Sequence, residues 1–183
     1  MIYAFLATGF EEVEALGPID VCRRAGLEVK TVSITDELTV VGAHGVGIVA
    51  DSLFADNDYA DADLLFLPGG MPGSSNLNAH EGLRNALLAQ NAAGKALAAI
   101  CAAPMVLGNL GLTQGKKMTC YPGFEQYLKG ATCTAALVER DGLLFTGKGP
   151  AAALGLGYAI VEHFCGKQVA DQLRQGMMYN HIS

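Results

Sequence analysis

Mostly apolar runs alternate along this chain with longer segments of helical periodicity, and this alternation limits the folds available to it. Residues 2–7, 28–34, 62–67 and 96–100 are the strand-like runs. Such runs are typical of parallel strands that are buried on both faces and joined by crossover helices. The pattern therefore predicts an α/β fold. The helices are expected at residues 11–25, 81–93, 103–110, 151–164 and 167–176.

Two glycine-containing turns add antiparallel pairs to this plan. Gly42–Gly45 separates the apolar stretches 38–41 and 46–50, and Asp141-Gly142 has apolar residues on both sides. A further strand is expected at 117–120 and a short helix at 122–128. The chain has no repeat or linker-like tract, so residues 1–183 are interpreted as one domain.

Charge and hydropathy exclude several function classes. The formal net charge is −6, and the 12 Lys and Arg residues are scattered, so no basic stripe is available for nucleic acid. The uncharged stretch 96–112 is short for a bilayer span and contains Pro104 and Gly108. The apolar start lacks a basic leader. We expect a cytoplasmic protein that binds neither membranes nor specific nucleic acids.

The five cysteines and four histidines are dispersed. No C-x-x-C pair is present, and no histidine spacing places two ligands on one helical face. A disulfide framework and a metal site are therefore not expected. Cys22, Cys133 and Cys165 are interpreted as core residues, whereas Cys120 lies before Tyr121 at another expected strand end.

Cys101 is the main candidate for chemistry because it joins an apolar strand to a helix between small residues. Such an elbow lifts a side chain off the carboxyl end of a strand, where ligand sites of parallel sheets collect. The start of the next helix, supported by Pro104, favours the thiolate and lowers a cysteine pKa. The competing interpretation is a cysteine that only fills the core.

Other groups could complete a site around this sulfur. Gly69-Gly70 closes a strand, and its backbone N–H groups could bind an oxyanion; an ordinary glycine turn is the alternative. Glu11, Glu12 and Glu14 open the first helix, and the residues alone do not distinguish them. The chain has neither a G-x-G-x-x-G motif nor a Walker lysine, so a nucleotide cradle is disfavoured.

Five ordered motifs together resemble the ThiJ/PfpI superfamily, and the resemblance covers essentially the whole chain. Within it, the chain is similar to the branch of the Parkinsonism-associated protein deglycase and its bacterial relatives. The motifs are 9–15 (GFEEVEA), 20–26 (DVCRRAG), 67–70 (LPGG), 98–104 (AAICAAP) and 146–150 (TGKGP).

The resemblance implies a flavodoxin-like three-layer sandwich, usually a homodimer, with Cys101 as nucleophile and Glu14 as its hydrogen-bonding partner. Gly69, Gly70 and Ala102 match the backbone oxyanion positions. A protonated Glu14 that donates to a thiolate should have a raised pKa while the pKa of Cys101 falls. The implied function is a cofactor-free glyoxalase or deglycase acting on α-oxoaldehydes such as methylglyoxal, or on their early protein or nucleotide adducts.

Three positions depart from relatives. Ala102 replaces the histidine of the protease-like branch, so the Cys-His dyad has no local source. Tyr121 stands where some relatives have a pocket histidine, which leaves proton transfer to Glu14. His44 lies where relatives often place an arginine near the dimer contact, although a plain turn residue is equally consistent.

Two other functions remain as hypotheses. The first is a redox sensor or chaperone-like protein that uses an oxidisable Cys101. The second is a cysteine peptidase or amidotransferase, which would need His163 or His80 delivered as a base by folding.

Overall fold

The computed structural model describes residues 1–181, which form a layered arrangement of strands and helices. The strands are β1 (Ile2–Leu6), β2 (Val29–Ser33), β3 (Thr39–Val41), β4 (Gly47–Val49), β5 (Ser52–Leu53), β6 (Leu64–Leu67), β7 (Ala96–Ile100), β8 (Lys117–Met118), β9 (Thr132–Cys133), β10 (Val138–Asp141) and β11 (Leu144–Gly147). The α-helices are α1 (Glu12–Arg24), α2 (Gly73–Ala79), α3 (Glu81–Ala92), α4 (Pro104–Asn109), α5 (Ala153–Cys165) and α6 (Lys167–Gly176). Short 3-10 helices cover Phe54–Asp56, Glu125–Tyr127, Pro150–Ala152 and Tyr179–His181.

A seven-stranded sheet forms the centre, in the order β10-β11-β7-β6-β1-β2-β5. All neighbouring strands in it are parallel except β10, which pairs antiparallel with β11. The carboxyl ends of β1, β6, β7 and β11 therefore meet at one edge. This confirms the predicted mostly parallel sheet and brings the ends of distant sequence segments together.

Both faces of the sheet are covered, which explains why its strands are apolar throughout. Tyr3 and Phe5 of β1 pack on one face with α2, α3 and α4, whereas Ile2 and Ala4 pack on the other with α1, α5 and α6. Alternate side chains of a strand point to opposite faces, so a strand buried on both sides is uniformly apolar. The result is the expected flavodoxin-like three-layer sandwich.

Helix α1 is held close to α5 by glycine. A Cβ atom placed on Gly157 would lie 2.8 Å from the Cβ of Val21 and 3.1 Å from the Cα of Pro18. A larger residue at 157 would therefore push the two helices apart. This close packing fixes the position of α1, the helix that begins beside the carboxyl edge of the sheet.

The structure confirms most predicted elements and corrects several. Both hairpins, β3–β4 and β10–β11, are present. The strand predicted at 117–120 ends at Met118, because the Thr119 N–H bonds to Thr146 Oγ1 instead of to a neighbouring strand. The helix predicted at 122–128 is a single 3-10 turn, since Gly123 has a left-handed φ of 96°.

Helix α2 was not predicted, because its sequence is polar and lacks a capping side chain. It is anchored by tertiary contacts instead: Leu77 is buried, and the Gly73 N–H donates to the Gly9 carbonyl at 3.1 Å. Among residues 1–181, none of the helices is both long and apolar enough to cross a bilayer.

Candidate active site

Cys101 occupies a strained elbow between β7 and α4. Its φ is 65°, a left-handed value that costs a non-glycine residue roughly 1–2 kcal/mol. Two backbone hydrogen bonds hold it there: the Cys101 N–H donates to the Gly147 carbonyl, and the Tyr121 N–H donates to the Cys101 carbonyl, both at 2.8 Å. The elbow predicted from the sequence is therefore present, and its strain is maintained by two neighbouring segments.

Glu14 lies on the first turn of α1 and is fully buried. The three acids of this turn have different positions in the structure. Glu11 caps α1, because its Oε2 accepts from the Glu14 N–H at 2.6 Å. Glu12 faces the β3–β4 hairpin, and only Glu14 faces the Cys101 thiol. Folding thus separates residues that the sequence left equivalent.

Burial raises the pKa of Glu14 to about 7, although contacts with Cys101 and the Gly69 N–H lower it. Neither of its carboxyl oxygens makes a hydrogen bond of standard geometry. A buried carboxylate without hydrogen bonds is costly, so the neutral, protonated form is favoured. The raised pKa agrees with the sequence-based expectation.

Burial also raises the pKa of Cys101 to about 12, and the neighbouring Glu14 carboxylate adds to this. The N–H groups of Gly70 and Ala102 interact with the sulfur and act in the opposite direction. The expected fall in the Cys101 pKa is therefore wrong, because burial outweighs the two N–H groups. Helix α4 covers Pro104–Asn109 instead of the predicted residues 103–110, and it begins three residues after Cys101. The two groups are close enough to titrate as a coupled pair.

The Gly69-Gly70 turn encloses this pair. A Cβ atom on Gly69 would overlap Glu14 Oε2 and lie 2.6 Å from the Cβ of Cys101. Gly70 has a φ of 91°, and a Cβ there would lie 2.7 Å from the Gly9 carbonyl oxygen. The Glu11 N–H donates to the Gly69 carbonyl at 2.9 Å, which ties the turn to the start of α1. Only glycine fits at either position.

Glu12 anchors the β3–β4 hairpin beside the site. Its carboxylate accepts hydrogen bonds from the His44 N–H at 2.8 Å, from His44 Nδ1 at 2.7 Å and from the Val46 N–H at 3.4 Å. Ligand atoms of Glu11, Glu12 and His44 lie within 4.8 Å of one another. The oxygens of Glu12 already have these donors, so the arrangement fits a structural clasp better than a cation site. The sequence contained no signal for this contact.

The two histidines considered as bases have other contacts. His80 caps α3, accepting from the Leu83 N–H at Nδ1 over 3.0 Å, and His163 Nδ1 lies 2.8 Å from Arg140 Nη2. Neither is among the groups that act on the Cys101 sulfur. The Cys-His arrangement that a peptidase or amidotransferase needs is therefore not formed with either residue.

The remaining cysteines differ in exposure. Cys22 and Cys120 are buried, and burial raises the pKa of each thiol to about 12. Cys165 is half-buried. Cys133, interpreted from the sequence as a core residue, is exposed, because β8 and β9 form a separate two-stranded ribbon outside the main sheet. Cys101 is the cysteine of the described chain that combines partial exposure with a strained elbow and a carboxyl neighbour.

Comparison with known proteins gives consistent matches. A model of the DJ-1/PfpI family matches residues 1–163. Protein DJ-1 homolog A of Arabidopsis thaliana is 38% identical over 172 residues, which cover 92% of this chain and 44% of that protein. The chain thus spans less than half the length of that relative.

Two further matches cover most of both partners. Deglycase PH1704 of Pyrococcus horikoshii is 32% identical over 148 residues, covering 79% of this chain and 87% of that protein. The solved structure of oxidized DJ-1 from Toxoplasma gondii has a TM-score of 0.93 and 32% sequence identity, covering 97% of each chain. Fold and sequence therefore agree on the same set of relatives.

Proposed function

This chain belongs to the DJ-1/PfpI family, and on that premise we propose that it is a cysteine-dependent stress-protection enzyme. Its activity is that of a cofactor-free glyoxalase or deglycase acting on methylglyoxal-type α-oxoaldehydes, or on their early protein or nucleotide adducts. The observation that carries the proposal is the contact between the buried Glu14 carboxyl and the Cys101 thiol at the strained elbow.

The negative charge of the singly ionised pair resides on sulfur in this mechanism. Cys101 is partly exposed and has the N–H groups of Gly70 and Ala102 as neighbours. Glu14 is fully buried, and its carboxyl has no hydrogen bond of standard geometry. The proposed mechanism needs the thiolate form of Cys101 beside a protonated Glu14. Burial of the thiol opposes this form by raising the Cys101 pKa, whereas its partial exposure and its two N–H neighbours favour it.

The reaction begins with attack of the Cys101 thiolate on the aldehyde carbon. A C–S bond forms while the carbonyl π electrons move to oxygen, and the N–H groups of the Gly69-Gly70 turn and of Ala102 stabilise that oxygen. Glu14 gives this oxygen its proton and then, as carboxylate, takes the hydrogen of the same carbon as a proton. It returns that proton to the neighbouring carbonyl carbon, while the hydroxyl proton moves from the oxygen of the sulfur-bearing carbon to the oxygen of the neighbouring carbon, which gives a 2-hydroxy thioester. Water cleaves the resulting thioester, so methylglyoxal and water give lactate.

The direct test is lactate production from methylglyoxal by the purified protein. Cys101→Ser should abolish it, and Glu14→Gln should reduce it by at least a hundredfold, because a positioned acid-base group contributes roughly 10²–10⁴-fold. Cys133→Ser is the matched control, since Cys133 is an exposed thiol outside the site. Turnover no faster than an equal concentration of free thiol, or unchanged in Cys101→Ser, would refute the proposal.

A redox sensor is the second candidate, favoured by the partial exposure of Cys101 and by the oxidized state of the Toxoplasma gondii structure. Hydrogen peroxide would transfer one oxygen atom to the thiolate, giving sulfenate and water, and a second molecule of hydrogen peroxide would give sulfinate and another water. Chaperone-like activity belongs to the same class. Mass spectrometry after peroxide treatment should locate two added oxygen atoms on Cys101 before the exposed Cys133 is modified; the reverse order would remove this candidate.

We also propose a homodimer that works in the cytoplasm. Apolar side chains are exposed on the outer face of α1 at Val13 and Leu16, and on the β3–β4 hairpin at Val41, Val46 and Val49. Such a patch is typical of an interface between protein chains. The unpaired cysteines are consistent with a reducing compartment. Val13→Glu should yield monomers in analytical ultracentrifugation if the patch is the interface.

A further inference from the structure

A cavity of about 430 Å³ lies at the amino edge of the central sheet, at the opposite end from Cys101. One wall is formed by residues 58–60, in the loop that precedes β6, and the other by the second half of α3, which precedes β7. Strands β6 and β7 are parallel and both end at the carboxyl edge, so the segments that precede them lie at the other edge. The proposed chemistry of Cys101 does not use this cavity.

Gln90 supplies a buried polar group to the cavity wall. It is 4% exposed, and its Nε2 donates to the Ala62 carbonyl at 3.3 Å and to the Ala96 carbonyl at 3.2 Å. Both partners are acceptors, which fixes the orientation of the side-chain amide. Within residues 1–181, its Oε1 accepts no hydrogen bond, and it is not fully enclosed by protein atoms. This free acceptor in the wall of a cavity is a partner for an N–H or O–H group of a ligand.

The rest of the cavity surface is mainly apolar. The helix wall consists of small side chains on the same face of α3 as Gln90, namely Ala86, Ala89 and Ala93. Tyr59 lines the cavity from the loop. Its hydroxyl donates to the Phe54 carbonyl at 2.8 Å, and its ring centroid lies 4.9 Å from that of Phe54, so the ring is held in place. A slot between a fixed aromatic ring and a methyl-lined helix accommodates a flat apolar group.

Asp58 is the charged residue of the lining. Its Oδ1 accepts from the Ala60 N–H at 3.0 Å, which leaves Oδ2 for a ligand. Asp61 adds a negative charge in the same loop, whereas Lys95 lies outside the lining with its Nζ bonded to the Ala60 carbonyl at 2.7 Å. Asn85 contributes an uncharged amide. Such an arrangement attracts a cation and opposes a carboxylate or a phosphate.

We propose that this cavity binds an arylalkylamine, a small molecule that combines a primary ammonium group with an aromatic ring. The ammonium has three N–H donors, enough to serve the Asp58 carboxylate on one wall and Gln90 Oε1 on the other. The aromatic ring occupies the slot between Tyr59 and the alanines of α3. The site involves no covalent step and gives the protein a binding function that does not depend on the proposed enzyme.

The test is a titration of the ¹⁵N-labelled protein with 2-phenylethylamine at neutral pH, followed by amide chemical shifts. Shifts in residues 58–60 and 85–93 should saturate with a Kd of about 1 mM or lower, as expected for a ligand of this size. 2-Phenylethanol has the same shape without the charge and should bind at least about tenfold more weakly, because it lacks charge-assisted hydrogen bonds. Phenylacetate should not bind.

Variants of the two walls locate the site. Asp58→Asn should weaken amine binding at least about tenfold, whereas Asp61→Asn, a matched control outside the lining, should change it less than about twofold. Ala89→Leu should abolish binding by filling the slot. It should fold normally, because Ala89 is exposed, and Ala92→Leu is its control on another face of α3.

Gln90→Leu should also weaken binding about tenfold. Because it removes two structural hydrogen bonds as well, Ala89→Leu tests the site in a protein that keeps them. Cys101→Ser should bind the amine as wild type does, and loss of binding in this variant would place the ligand at Cys101 and overturn the inference. Wild-type shifts that do not saturate, equal affinity for 2-phenylethanol, or undiminished binding in Ala89→Leu would overturn it equally.

Discussion

The carboxyl group of Glu14 and the thiol of Cys101 share one enclosed space beneath Gly69. An added Cβ on Gly69 would overlap Glu14 Oε2 and lie 2.6 Å from the Cβ of Cys101. The two groups come from α1 and from the end of β7, far apart in the sequence, and the parallel sheet brings them to the same edge. This contact between a buried carboxyl and a partly exposed thiol is the physical basis of the proposed chemistry.

Gly69→Ala should damage this enclosure. The methyl group meets Glu14, Cys101 and the Ile100 carbonyl oxygen, the last at 2.8 Å, so overpacking should reduce the unfolding free energy by about 1–3 kcal/mol. Iodoacetamide capture of Cys101 should change with it, because the carboxyl and thiol are forced apart. Chemical denaturation and capture kinetics measure the two effects.

Gly176→Ala is the control for that substitution. No atom lies within 4 Å of a Cβ at position 176, at the end of α6, so alanine should be neutral or slightly stabilising. A Gly69→Ala protein with wild-type stability and capture kinetics would contradict the close packing around the pair.

The contribution of Glu14 to the stability of the fold should decrease as the pH rises from 4.5 to 7. The pKa of Glu14 is raised from 4.5 to about 7, so the folded state holds this proton more tightly than the unfolded state. Its stabilising contribution is complete below pH 4.5 and is lost as the pH rises through 7. The expected loss is up to about 3 to 4 kcal/mol, since each pH unit corresponds to 1.4 kcal/mol.

Urea unfolding of wild type and Glu14→Gln across this pH range measures that loss as a difference between the two proteins. Glu28→Gln, an exposed substitution before β2, controls for the general effect of pH. A wild-type advantage over Glu14→Gln that stays constant from pH 4.5 to 7 would mean that Glu14 does not hold its proton in the folded state.

Glu12→Ala should loosen the β3–β4 hairpin. The substitution removes the acceptor of three hydrogen bonds, including the one from the His44 N–H, and should cost about 1–3 kcal/mol. Amide hydrogen exchange within residues 39–49 should accelerate more than exchange in β7. Glu28→Ala is the control, and equal exchange in Glu12→Ala and wild type would show that the clasp contributes nothing.

Local sequence patterns were sufficient for most of the fold. The predicted bounds of β7 and α6 agree with the structure, because an apolar strand beside glycine and a helix between glycines have clear local signals. Helix α2 was missed because its stability comes from tertiary contacts. The prediction that Cys133 is a core residue was wrong, because the sequence did not indicate that β9 lies outside the main sheet.

The candidate site was only partly predictable. The elbow at Cys101 follows from its sequence context, but the different surroundings of Glu11, Glu12 and Glu14 depend on which distant segment each one meets. The direction of the Cys101 pKa could not be predicted for the same reason. It depends on burial and on whether Glu14 is ionised, and both are properties of the folded protein.

The most direct test of the account is the pH dependence of iodoacetamide capture at Cys101 in wild type and Glu14→Gln, quantified by mass spectrometry. If sulfur carries the charge, wild-type capture should rise with a midpoint well below the pKa of a free thiol, and Glu14→Gln should shift that midpoint upward, because an amide donates more weakly to the thiolate than a carboxylic acid. If wild-type capture stays low through pH 8 and Glu14→Gln reacts faster at pH 7, the charge resides on Glu14 and the proposed nucleophile is a neutral thiol.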